Sequence, residues 1–182
     1  MPGPIDDRDD ETRLVRRARK GHETAFAELY KRHARAVHTL ALRLTGNPAA
    51  AEDITQEAFL KMLRFLNGLR DDAPLRPWLK RVAANAAIDR LRSERRLSAL
   101  EDDDARAGDG PDPQLHAESL GLLRRLTPLE RTVIWLHSME GWSHPELGKR
   151  FGRSESWSKS IVSRGLSRLR AELERQDTDD DT

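Results

Sequence analysis

Apolar residues recur along this chain at the three-and-four spacing of amphipathic helices, and no segment alternates as a strand would. The cleanest run is Phe26, Leu29, Tyr30, His33, Val37, Leu40, Ala41 and Leu44, the stripe of one long helix that Gly46 ends. A shorter helix carrying Leu14 and Val15 precedes it, with Gly21 placed to close it. Asn47-Pro48 opens a third helix, with Asn as cap and Pro at the first helical position. Its expected core face is Ile54, Ala58, Met62 and Phe65, flanked by Phe59, Leu63 and Leu66. A polar loop from Asn67 to Ala73 leads to a fourth helix bearing Leu75, Trp78, Leu79, Val82 and Ala86.

A second helical set follows. Thr127-Pro128-Leu129-Glu130 and Ser143-His144-Pro145-Glu146 both read as capping boxes, a hydroxyl cap with Glu three residues on. Two helix starts that close together require two short helices. Gly152 then breaks the chain, and Ser154 is placed to cap a last helix carrying Trp157, Ile161, Val162, Leu166 and Leu169. Short helix, glycine turn and longer basic helix describe a helix-turn-helix. The expected fold is all-α: two small helical domains joined by a flexible acidic linker, the second containing the helix-turn-helix. The expected boundaries are a disordered arm over residues 1–10, a helical domain over 11–97, the linker over 98–114, the second domain over 115–174 and an acidic tail over 175–182.

Composition sharpens this outline. Charged residues are 35% of the 182, and the mean hydropathy is −0.75, which suits two small cores better than one large one. Without cysteine there is no disulfide framework, thiolate zinc site or cysteine nucleophile. No apolar run approaches the ~20 residues of a membrane span, and the N-terminus has no signal-peptide core, so a soluble cytoplasmic protein without membrane insertion is expected. Net charge is only +1, but it is unevenly spread. Arg76, Lys80, Arg81, Arg90, Arg92, Arg95 and Arg96 crowd the fourth helix, whereas Glu101 to Asp112 holds six acids against Arg106.

Three constellations are candidates for function. In a helix-turn-helix the N-terminal half of the second helix meets base edges; here that half is Ser154 to Ser160, with Arg164, Arg168, Lys149, Arg150 and Arg153 available to phosphates. A solvated hairpin is the bland alternative. On the fourth helix Arg81, Asn85, Arg92 and Arg96 share one face, suited to DNA backbone and an exposed base, or simply to solvent. The third helix starts with Glu52, Asp53, Gln56 and Glu57, and its acids also complement the helix dipole without any partner.

Taken together, these words resemble a known family. Gly46-Asn47-Pro48 with Ala51-Glu52-Asp53-Ile54-Thr55-Gln56-Glu57-Ala58-Phe59-Leu60 resembles the polymerase-binding segment of extracytoplasmic-function sigma factors of the sigma-70 family. Trp78 to Asn85 with Asp89-Arg90-Leu91-Arg92 resembles their proximal-promoter helix, and Leu126 to Arg131 with Gly141 to Arg170 their distal-promoter domain. The resemblance implies a sigma factor that directs core RNA polymerase to promoters and assists melting, without covalent chemistry and with no cofactor or metal. It implies that Glu52, Asp53, Gln56 and Glu57 dock on the clamp helices of the largest polymerase subunit. Arg70, Trp78, Arg81, Asn85 and Arg92 would hold the −10 element of promoter DNA. Arg153, Ser156, Trp157, Lys159, Ser160 and Arg164 would read the −35 element, with Trp157 either core or base contact. An anti-sigma factor is the implied inhibitory partner, and the acidic linker would thread the polymerase channel. Trp157-Ser158 departs from the family pattern and leaves a usual core position polar.

No catalytic constellation survives inspection, so enzymatic activity is not expected. A Gly-rich phosphate loop followed by Lys is absent, His33 and His38 are five apart and off one helical face, and Asp102-Asp103-Asp104 lacks the alternation of a calcium loop. His33 sits on the apolar stripe and reads as a core residue. Two rivals remain: a helix-turn-helix regulator that never binds core polymerase, and a module that only binds a regulatory protein.

Overall fold

The computed structural model describes residues 4–70, 74–98, 121, 123 and 125–180. Among the described residues there are seven α-helices, one 3-10 turn and no strand: α1 (Pro4–Arg19), α2 (Glu23–Thr45), α3 (Pro48–Phe65), the turn Leu66–Gly68, α4 (Leu75–Ser98), α5 (Pro128–Ser138), α6 (His144–Phe151) and α7 (Glu155–Asp180). The all-α expectation holds. The expected linker lies, beyond Ser98, outside the described residues, as do Asp71 to Ala73 of the loop. The chain divides into two compact units, Met1–Ala41 with Ala49–Ala86 and Leu42–Pro48 with Ala87–Thr182.

In the first unit the long stripe buries Leu29, Val37 and Leu40, and α3 adds Ile54, Ala58, Phe59 and Met62. Each of the larger side chains here contributes about 1.5–3 kcal/mol when removed from water. Phe65 was expected in this core but is 59% exposed. The α-helix ends there, and the tighter 3-10 turn brings Leu66 inward in its place, at 4% exposure. On α4 the buried stripe is Leu75, Leu79, Ala83, Ala84, Ala86, Ala87 and Ile88, so Trp78 and Val82 are only half-buried.

The arm expected to be disordered is largely helical, since α1 begins at Pro4. Proline costs nothing at a helix start, and Asp10, the last residue of the expected arm, is anchored. Asp10 pairs with Arg32. Glu11 lies 3.0 Å from His33 Nε2 and accepts from the Leu75 amide at 3.1 Å, tying α1 to the start of α4. Arg19 donates to the Leu66 carbonyl at 2.7 Å. His33 is buried, as its place on the stripe required.

The second unit combines the end of α2 and the end of α4 with α5, α6 and α7, and its buried residues include Leu126, Val133, Ile134, Leu136, Trp142, Leu147, Phe151, Ile161 and Val162. Gly165 lets α7 close on α5, because a Cβ there would stand 2.4 Å from Ile134 Cδ1. The last carbonyls of α2 are orphaned by the helix end and find partners on α5. Thr132 Oγ1 shares its proton between Leu44 O at 3.1 Å and Pro128 O at 2.8 Å, and Arg131 Nη2 donates to Thr45 O at 3.0 Å. Gly46 is left-handed, with φ +67°, and a Cβ on it would meet the Arg131 guanidinium at 2.7 Å. Arg43 stacks over the Trp135 ring, 4.6 Å from its centroid. At the other end α7 continues to Asp180, through the residues expected as a tail, because neither Gly nor Pro follows Gly165 to stop it.

Candidate nucleic-acid interface

The helix-turn-helix is assembled from local signals. Both capping boxes form: the Thr127 and Ser143 side chains accept from the amides of Glu130 and Glu146, and those carboxylates return the bond to the cap amides. Gly152 closes α6 in the left-handed region at φ +65°, and Arg153 N donates to Gly148 O at 2.8 Å. Gly148 must be glycine for the turn to pass, since a Cβ would come within 2.9 Å of Arg153 O and of Ser154 backbone atoms. Ser154 Oγ accepts from Trp157 N at 3.2 Å and caps α7.

This frame presents Ser156, Lys159, Ser160 and Arg164 on the exposed side of α7, with Arg153 exposed in the turn. Lys159 is paired with Glu155 at 2.6 Å, a contact that holds the Glu155 carboxyl below the usual carboxylate range. The Trp157 ring packs on Phe151 with centroids 5.3 Å apart and stays half-buried, so it is neither fully core nor fully presented. Ser158 has no solvent exposure, and its hydroxyl lies 3.1 Å from His144 Nδ1.

Two cations counted as phosphate anchors are engaged within the protein. Arg168 forms a fork on Glu130, at 3.1 and 2.9 Å, and Arg150 pairs with Asp89 at 2.6 Å. Arg92 Nη1 donates to the Arg150 carbonyl at 3.1 Å. Arg92, Arg95, Arg96, Arg153 and Trp157 line one cleft of about 410 Å³ with Leu91, Phe151 and Gly152. Arg92 thus stands with Arg153 and Trp157 in the second unit, whereas Arg81, exposed, and Asn85, half-buried, belong to the first. Arg70 is exposed at the edge of the loop, and Trp78 is half-buried.

On α3, Glu52, Asp53, Gln56 and Glu57 are all exposed, opposite the buried Ala51, Ile54, Thr55, Ala58, Phe59 and Met62. Glu57 pairs with Lys61 at 2.6 Å. Sequence reasoning missed the apolar extension of this face: Leu60 and Leu63 are 52% and 51% exposed, and they continue the row of Asp53 and Gln56 at helical spacing. The stretch Phe59-Leu60 to Phe65-Leu66 has more apolar residues than one face can bury, which was the available signal.

Among the described residues no group of three or more His, Cys, Asp or Glu could hold a metal ion, and no helix is long and apolar enough to cross a membrane.

Comparison with known proteins places the two parts. Residues 29–97 match the family model for sigma-70 region 2, and residues 120–169 that for sigma-70 region 4. The chain is 36% identical over 162 residues to the RNA polymerase sigma factor CarQ of Myxococcus xanthus, covering 86% of this chain and 93% of CarQ. It is 30% identical over 151 residues to the ECF RNA polymerase sigma factor SigM of Mycobacterium tuberculosis, covering 82% of this chain and 77% of SigM. Among solved structures, CnrH in complex with the cytosolic domain of CnrY matches with a TM-score of 0.52 and 25% identity, over 91% of this chain and 98% of CnrH. The sigma factor RpoE of Bartonella quintana, solved with the anti-sigma factor NepR, shares the fold with a TM-score of 0.55 and 22% identity, over 82% of this chain and 96% of RpoE. The helix-turn-helix, the α3 face and these relatives agree: the chain belongs to the extracytoplasmic-function sigma factors of the sigma-70 family.

Proposed function

We propose that the protein carries core RNA polymerase to a specific set of promoters and helps to separate the strands there, by binding alone and without covalent chemistry. The carrying observation is the α3 face, where Glu52, Asp53, Gln56 and Glu57 run into exposed Leu60 and Leu63. An acidic row continued by unburied leucines suits a protein partner better than solvent, which favours the polymerase-binding reading over a regulator that only binds DNA. The clamp helices of the largest subunit are the proposed partner.

In this reading Arg70, Trp78, Arg81, Asn85 and Arg92 hold the melted −10 element. Arg153, Ser156, Lys159, Ser160 and Arg164 contact the −35 element, with the half-buried Trp157 at its edge. The protein works in the cytoplasm, on the nucleoid when active, and an anti-sigma protein holds it inactive. CnrH and the Bartonella RpoE, each solved with a bound partner, support that last part.

The test is run-off transcription with purified core polymerase on fragmented genomic DNA, with transcript 5′ ends sequenced. New starts that share two spaced upstream motifs are expected. Gln56→Ala with Glu57→Ala should abolish them and remove co-elution with core polymerase, while leaving duplex binding intact. If the double variant transcribes as wild type does, the α3 assignment is wrong. Absence of new starts with wild type would favour the helix-turn-helix regulator.

A further inference from the structure

Beneath the base-reading face lies a polar contact that the promoter reading does not use. Ser158 is in the first turns of α7, between the exposed Ser156 and Lys159-Ser160, yet it is fully buried. A buried hydroxyl needs a partner, and the one here is His144 Nδ1 at 3.1 Å, from the first residue of α6. The His144 ring stacks on His137, at the end of α5, with centroids 4.0 Å apart and planes 27° from parallel. His137 Nδ1 lies 2.8 Å from the Trp142 carbonyl, which only accepts, so that nitrogen carries a proton. One chain of contacts therefore joins α5, the turn, α6 and α7.

We propose that His144 is a positioning residue for −35 recognition: through Ser158 it sets the start of the base-reading helix, and it does so as a neutral imidazole. This rests on the promoter-binding reading. Neutral Nδ1 accepts the Ser158 hydroxyl proton. Protonation turns that nitrogen into a donor, so the bond must reverse, and it places a cation in van der Waals contact with a second imidazole. The other charged groups facing His144 are Lys159 and Glu155 of α7. They pair with each other at 2.6 Å, and Lys159 holds the Glu155 carboxyl below the usual carboxylate range. Partial burial, then His137, then Lys159 disfavour the His144 cation, against Glu155.

The sign follows. A histidine that resists protonation in the folded state takes up more protons unfolded, so its contribution is complete above its ordinary value of about 6.5 and declines as pH falls below it. The position of α7 is thus held at neutral pH and loosened by acid, and promoter binding weakens with it.

The experiment uses the full chain with core polymerase and a promoter found by run-off, at pH values from about 8 to 5.5. Wild type, His144→Gln and His144→Ala are compared by promoter-complex formation and, without DNA or polymerase, by thermal melting. Gln keeps a side-chain acceptor for Ser158 but does not titrate. His144→Gln is expected to form complexes within about twofold of wild type at the upper pH and to keep them in acid, where wild type loses about fivefold or more. His144→Ala should lose complexes at every pH while still co-eluting with core polymerase. The melting curve of wild type should fall with acid more steeply than that of His144→Gln. Equal pH dependence of melting and complex formation in wild type and His144→Gln would overturn the inference. No complex with wild type at any pH would instead overturn the promoter reading on which it rests.

Discussion

At the scale of single residues, Glu11 shows how much one carboxylate can organise. It faces the buried His33 and accepts from the Leu75 amide, so it fixes the entry of α4, the helix that carries Trp78, Arg81 and Asn85. The close approach of the His33 ring is the main reason its carboxyl titrates below the ordinary range. The Leu75 bond and nearby cationic charge add to this, and burial opposes it. A depressed folded value means that the stabilisation is present above the unfolded value and is lost as pH falls through the folded one. Glu11→Gln should therefore cost about 1–3 kcal/mol at neutral pH, the scale of a hydrogen bond to a charged group. Its melting temperature should converge with that of wild type as pH falls through the lowered folded value, where the wild-type carboxyl also becomes neutral. A constant gap across that range would show that Glu11 acts through shape and not charge.

At the scale of elements, what the sequence made legible was local. The two capping boxes, the Gly152 turn and the Ser154 cap each rest on residues three or four apart, and all formed as read. The acidic face of α3 was equally plain, because helical spacing alone sets Glu52, Asp53, Gln56 and Glu57 outward. What stayed hidden depends on partners remote in the chain. Asp10 was read as the end of a disordered arm, and its partner Arg32 lies 22 residues away. Phe65 fell on the core stripe by spacing, but the 3-10 turn changed which side chain went inward. Arg168 looked like a phosphate anchor, and its partner Glu130 lies 38 residues away. That fork gives a sharp prediction. A phosphate-contacting arginine contributes about one unit to the salt dependence of DNA binding. Arg168→Ala should leave that slope unchanged and lower stability by about 1 kcal/mol, since Glu130 loses one of its partners. Lys159→Ala or Arg164→Ala should do the reverse. A reduced slope for Arg168→Ala, measured by binding at several salt concentrations, would return Arg168 to the DNA face.

At the scale of the whole molecule, a net charge of +1 hides basic elements whose cations are partly spoken for. In the second unit the end of α4 meets the helix-turn-helix through Arg150 with Asp89 and Arg92 with the Arg150 carbonyl, beside the cleft that holds Arg153 and Trp157. The last turns of α4 stand beside the start of α7, and the pair that Asp89 makes with Arg150 opposes binding by competing with a DNA phosphate for that cation. The Asp89–Arg150 pair is exposed, so its opposition is small. Pairs of this kind are worth about 0.2–1 kcal/mol, which is at most about fivefold in affinity. Asp89→Ala should tighten binding of the free protein to a fluorescein-labelled duplex carrying the −35 element by up to that factor, read by anisotropy. The gain should shrink with added salt, which screens the pair in wild type as well. Removing an acid also raises the net charge, which would by itself favour any duplex, so a duplex with a scrambled −35 element is the control. A gain confined to the specific duplex identifies the α4 contact as an obstacle to recognition, and an equal gain on both duplexes would mean that Asp89 acts only through charge.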